Sequence, residues 1–301
     1  MKNRRQFLKT LGTGVLAGTG MEVLGPASSQ AQTTPPELPV AKTARLFSGC
    51  CAYTYRGEFK QGLTLEKFIE KAVELRLDAV DMTVYYMKST EPGYIENLRY
   101  LGYKNGVAFS GAACGVSMVV VDSTKRADTL VQIKKWIDVT DRLGAPHLRV
   151  FAGDLPLGRT LPEAITWVVE TMKEASDYSG KKGIMIGLEN HAGISQSADV
   201  CLEIMHRVNS PYAGINIDIS HFEPRKDPYA QIAACIPYAT NTHIRNTFDD
   251  GSMIDMDRVW KLFADTGFKG FMSYEGEEMN KAGVPVQISE IQRLCKKYSS
   301  I

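Results

Sequence analysis

From residue 44 onward short apolar runs alternate with amphipathic stretches, and eight runs have the length and content of strands: residues 45–53, 77–85, 107–118, 146–153, 183–190, 213–220, 239–246 and 268–275. Strands separated by helical segments predict βα units and a parallel sheet. In TLEKFIEKAVEL the residues Leu65, Phe68, Ile69, Ala72 and Val73 follow the spacing of one buried helix face. Thr160-Leu161-Pro162-Glu163 reads as a capping box, with Ile165, Val168, Val169 and Met172 continuing the stripe behind it. Gly144, Gly183 and Gly267 stand where helices should stop, each shortly before a strand. Eight units of about 32 residues predict an α/β chain folded as a (β/α)8 barrel, although no sequence repeat marks the period.

The first residues break this pattern. MKNRRQFLKTLGTGVLAGTGMEVLGPASSQA has a basic start, a glycine-diluted apolar middle and small residues ending at Ala31. That layout predicts a signal peptide over 1–31, with no stable membrane span once it is cleaved. Arg4-Arg5 with its flanks resembles a twin-arginine export signal and predicts a periplasmic protein. Residues 32–43 read as a Pro- and Thr-rich linker, leaving 44–301 as one catalytic domain.

With 35 Lys and Arg against 34 Asp and Glu, the chain has no general field for nucleic acid or an anionic membrane. A small neutral or weakly charged ligand fits better. The six cysteines form no C-x-x-C pair, and a protein folded before export meets reducing conditions first, so buried free thiols are expected. A monomer and a homo-oligomer both stay open.

Chemistry concentrates where the later strands end. Glu189 ends the fifth, Asp218 and His221 the sixth, His243 lies in the seventh and Glu275 ends the eighth. The spacings of 29, 25 and 32 residues are each about one βα unit. These side chains would therefore meet at the C-terminal mouth, where barrel active sites lie. Three carboxylates and an imidazole brought together repel or shift their pKa values unless a cation sits among them. One divalent ion, Mn²⁺, Mg²⁺, Co²⁺ or Zn²⁺, suits this oxygen-rich donor set. His221 could take the place of His243 as ligand, or contact a substrate oxygen.

The order of GLENH, NIDISH, THIRN and SYEGE, with CCAYTYRG and LRVFAG at the first and fourth strands, resembles the sugar isomerase/epimerase superfamily with a xylose-isomerase-like TIM barrel, whose members include hydroxypyruvate isomerases and ketose 3-epimerases. The resemblance implies that Glu189, Asp218, His243 and Glu275 hold one divalent metal, and that Glu189 and Glu275 also act as acid and base on opposite faces of a sugar. It implies that His221 binds a substrate oxygen. Ketose 3-epimerases carry an arginine six residues beyond the strand-seven histidine; here that place is Asp249, and Arg245 lies closer, as a candidate substrate contact. Endonuclease IV shares the fold but needs three metals and more histidines than the five present.

The expected activity is a sugar isomerase or epimerase working through an enediolate. Two alternatives remain: a periplasmic lyase or hydratase acting on 3-keto-glycosides, and a non-catalytic sugar-binding protein. Among secondary residues, His191 could contact substrate or cap a helix. Arg149 could bind a hydroxyl or pair with a barrel acid. Tyr53 and Tyr55 could wall a sugar ring or pack in the core, and Asp81 is equally ambiguous.

Overall fold

The computed structural model describes residues 43–276 and 283–300. The expected signal peptide, and all of the expected linker except Thr43, lie outside the described residues. The strands are β1 (Arg45–Cys51), β2 (Ala79–Thr83), β3 (Ala108–Ser117), β4 (His147–Phe151), β5 (Met185–Glu189), β6 (Ala213–Asp218), β7 (Ala239–Ile244) and β8 (Lys269–Tyr274). They close in sequence order into a barrel, every neighbour parallel, with β8 returning to β1 from Arg45↔Lys269 to Cys50↔Tyr274. All eight strands expected from the apolar pattern are present.

Among the described residues, nine α-helices accompany them: α1 (Arg56–Lys60), α2 (Leu65–Glu74), α3 (Pro92–Asn105), α4 (Ser123–Leu143), α5 (Leu161–Gly180), α6 (Ala198–Val208), α7 (Pro228–Cys235), α8 (Met256–Asp265) and α9 (Gly283–Tyr298). None is long and apolar enough to cross a membrane. On α2, Leu65, Phe68, Ile69 and Ala72 are buried as the spacing predicts, while Val73 is 42% exposed because it lies past the edge of the apolar stripe. The box at the start of α5 forms: Thr160 Oγ1 accepts from the Glu163 backbone, and the Glu163 carboxylate accepts from the Thr160 backbone. Gly144 ends α4 in the left-handed region, where a Cβ would be strained.

Apolar packing fills the space between helices and barrel, with Phe68, Ile133, Trp260 and Phe263 almost wholly buried. The barrel lumen is polar. Asn241 on β7 reaches across to donate to Asp81 on β2 at 2.9 Å, and the Ser110 and Ser273 hydroxyls face each other at 3.5 Å from β3 and β8. All six cysteines are free and buried.

Candidate active site

Side chains alternate across a strand, so in this barrel every second residue points inward. The last inward position of β5 is Glu189, paired in register with Asn216 of β6; Asp218 pairs with His243 of β7; His243 pairs with Ser273 of β8, two residues before Glu275. Register alone thus carries four ligand-type side chains to one level of the mouth. Their ligand atoms lie within 4.8 Å of one another, and all four residues are buried.

At an effective dielectric near 20, each pair of unit charges at that separation repels by about 3 kcal/mol, so bare carboxylates could not share the space. Arg149 on β4 places Nε 3.5 Å from Glu189 Oε2, with both side chains almost fully buried. Arg245, just beyond β7, donates Nε to Asp218 Oδ2 at 3.0 Å and a terminal nitrogen to Glu275 Oε2 at 2.7 Å. Burial alone would raise the Glu189 carboxyl, but Arg149 and His243 more than offset it and hold Glu189 well below the usual carboxylate range. Asp218 follows the same pattern: burial opposes, and Arg245 and His221 bring it down. Two arginines thus offset two of the three negative charges.

His243 stands among the three carboxylates. Its Nδ1 lies 2.6 Å from Glu189 Oε1 and 3.5 Å from Glu275 Oε2, yet neither approach has the direction of a hydrogen bond and the atom is without such a partner. A buried ring nitrogen and carboxylate oxygens converging on one point without bonding to each other form the donor set of a hard or borderline divalent cation. The residues present fit one such ion.

Neighbouring groups fix the ligands. Asn216 donates Nδ2 to Glu189 Oε1 at 3.0 Å, and the Ser220 backbone and hydroxyl both donate to Asp218 Oδ1. Cys51, its thiol pushed up to about 12 by burial, donates to Glu275 Oε1 at 3.4 Å. Asp81 Oδ2 stands 3.7 Å from His243 Nε2, behind the ring. Asn190 zips the end of β5 to β6, accepting from the Asp218 N–H at 2.9 Å and donating to its C=O at 2.7 Å.

A model of the xylose isomerase-like TIM barrel family matches residues 69–298. The chain belongs to this family. No curated protein sequence is significantly similar to it. Solved structures with this fold include a D-psicose 3-epimerase from Clostridium cellulolyticum H10, with a TM-score of 0.70 at 13% identity over 84% of this chain and 99% of the other. A 3-keto-D-glucoside 4-epimerase from E. coli has a TM-score of 0.68 at 13% identity, covering 83% and 99%. A probable 3-DHS dehydratase from Bacillus anthracis has 0.66 at 13% identity, covering 82% and 98%. At such identity the likeness is one of fold.

The other expected contacts of this xylose isomerase-like barrel fall at different depths. His191 and His221 stand at the mouth with ring centroids 4.6 Å apart, and Phe151 packs edge-on against His191 at 4.9 Å. His221 lies outside the four-ligand group: its Nε2 is 3.5 Å from Asp218 Oδ2 and its Nδ1 faces Asp249. Arg149 is buried, donates to the Cys114 carbonyl at 3.0 Å and stacks on Phe151, so its contacts are with Glu189 and the wall. Arg245 keeps 19% exposure while bridging two carboxylates. Tyr53 is half-buried beneath the Arg56 guanidinium, and Tyr55 packs into the core against Phe68.

Cys51, Asn216 and Ser220 were not singled out in the sequence. The signal for Asn216 was present, since it stands two residues before Asp218 and therefore on the same inward face.

Proposed function

We propose that the chain is a divalent-metal-dependent sugar isomerase or epimerase that moves a proton at a carbon beside a carbonyl through an enediolate. The convergence of Glu189, Asp218, His243 and Glu275 within 4.8 Å at the C-terminal mouth carries this assignment. An ion held by these four supplies the Lewis acidity that lets a C–H beside a carbonyl ionise near neutral pH.

The side chains do the rest. Glu189 and Glu275 come from non-adjacent strands and reach the substrate from two sides, one taking the proton and the other returning it. Return to the same carbon from the other face gives an epimer, and return to the neighbouring carbon gives an isomer. Arg149 keeps Glu189 ionised, while His221, His191 and the exposed part of Arg245 are placed to hold hydroxyls. The twin-arginine start and the absence of a phosphate-cradling glycine loop in the sequence favour a free sugar or glycoside in the periplasm.

Asp249, standing where ketose 3-epimerases carry arginine, counts against that particular activity, and the twin-arginine-like start, which points to glycosides outside the cytoplasm, favours a second outcome from the same machinery. On a 3-keto-glycoside, loss of the C2 proton followed by cleavage of the C1–O bond expels the aglycone as an alcohol once that oxygen is protonated.

Glu275→Gln separates an enzyme from a binder. Against free ketoses, aldoses and 3-keto-glycosides, turnover should fall on the order of a thousand-fold while ligand binding persists. Unchanged turnover would remove Glu275 from the chemistry.

A further inference from the structure

Outward from the four-ligand group the structure holds two cavities of unlike character. One, of about 480 Å³, is lined by polar groups that include Arg245, Asn246 and Gln287, and Arg245 ties it to Asp218 and Glu275. The other, of about 300 Å³, lies between the loop that follows β6 and the loop that follows β7, with Phe222, Pro224, Tyr229, Phe248 and Met253 in its walls. The two border one another, having Ser220, Phe248 and Asp249 in common.

The walls of the apolar cavity are held in place without a ligand. After β7 the chain folds back as a small hairpin: Thr247 bridges Met253, the Phe248 N–H donates to the Ser252 C=O at 2.9 Å, and the Ile254 N–H donates to the Asn246 C=O at 2.9 Å. Across from it, Tyr229 meets Phe248 edge-on at 5.6 Å, its hydroxyl accepts from the Asp255 N–H at 2.8 Å, and the Arg258 guanidinium covers its ring. Walls fixed in this way lose little freedom when a ligand enters. Met253 is 73% exposed, so its thioether stands at the rim rather than in the core.

We propose that this second cavity is an aglycone subsite: the chain takes a glycoside whose sugar occupies the polar cavity and whose aglycone, an uncharged aromatic ring, lies among Phe248, Tyr229 and Met253. The proposal deepens the sugar reading of the mouth and rests on it. Continuity points to the occupant, since a group in the apolar cavity can be joined directly to a sugar in its neighbour. Aromatic faces and a thioether suit a planar ring, and the volume is at the low end for small-molecule sites. Asp249 and Asp250 also line the cavity, so an anionic aglycone is disfavoured.

The test uses the full chain with Mg²⁺ and three probes: phenol, methyl β-D-glucoside and phenyl β-D-glucoside, the glucosides lacking the carbonyl and so not being consumed. Calorimetry reads affinity, and ¹³C-methyl spectra of the methionines read position, with Met253→Leu assigning the Met253 signal. Phenyl glucoside should bind about tenfold more tightly than methyl glucoside, and it alone of the two should shift Met253. Met253→Glu, a change at an exposed position, and Phe248→Ala should each bring the affinity ratio toward one. Equal affinities, an unmoved Met253 signal with phenyl glucoside bound, or a ratio unchanged in both variants would overturn the subsite and leave the sugar reading standing. If neither glucoside binds while phenol still shifts Met253, the sugar reading has failed and the aglycone role falls with it.

Discussion

The buried pair Arg149 and Glu189 sets the tone of the site at the scale of single residues. Both side chains are at most 4% exposed, so solvent does little to weaken the interaction. Removing the arginine strands a carboxylate in the barrel wall. Arg149→Met should cost about 3 kcal/mol of stability, read as a lower denaturation midpoint, and should raise the Glu189 carboxyl toward its ordinary range. A variant as stable as the parent would mean that the lumen already supplies another counter-charge. His221 illustrates a different residue-scale lesson: its neighbour Asp249 was visible in the sequence as a departure, but only the fold brings that carboxylate to the ring.

At the scale of elements, space and register decide what each strand can carry. His147 on β4 occupies the lumen because β3 and β5 place glycines beside it. A Cβ on Gly187 would stand 2.1 Å from His147 Nε2, and one on Gly111 would stand 2.8 Å from Nδ1. Gly187→Ala should therefore destabilise by about 2 kcal/mol through overpacking, measured by urea unfolding, and the double variant with His147→Ala should recover part of the loss.

The strands and the four ligand-type residues were legible before the structure because apolar runs, helix caps and unit spacing all carried the same period. The strand-end sequence Glu189, Asn190, His191 also makes sense by alternation: one side chain points to the cluster, the next laces β5 to β6, and the third joins the rim. Pairings across the lumen were not legible. Asn241 with Asp81, Cys51 with Glu275 and Arg245 with two carboxylates join residues far apart in sequence, and no local pattern encodes which inward side chains meet after closure.

Across the whole molecule, the polar lumen makes stability depend on pH. Burial pushes His147 down from 6.5 to about 4. Between these values the unfolded chain takes up a proton that the native ring refuses, so unfolding binds protons and stability rises with pH. This contribution is complete above about 6.5 and is lost as pH falls toward 4, by about 3 kcal/mol. Urea midpoints across that window should fall with acidity, and His147→Gln should flatten the slope. An unchanged slope would place the titrating group elsewhere.

The central claim, metal-assisted proton transfer by these carboxylates, is tested most directly by NMR of the protein in D₂O with one divalent ion, against free ketoses, aldoses and 3-keto-glycosides. Deuterium should enter a carbon beside the carbonyl, and both EDTA and Glu189→Gln should stop it. Exchange that persists under EDTA or in Glu189→Gln, or no exchange with any of these sugars although one equivalent of ion is bound, would contradict it.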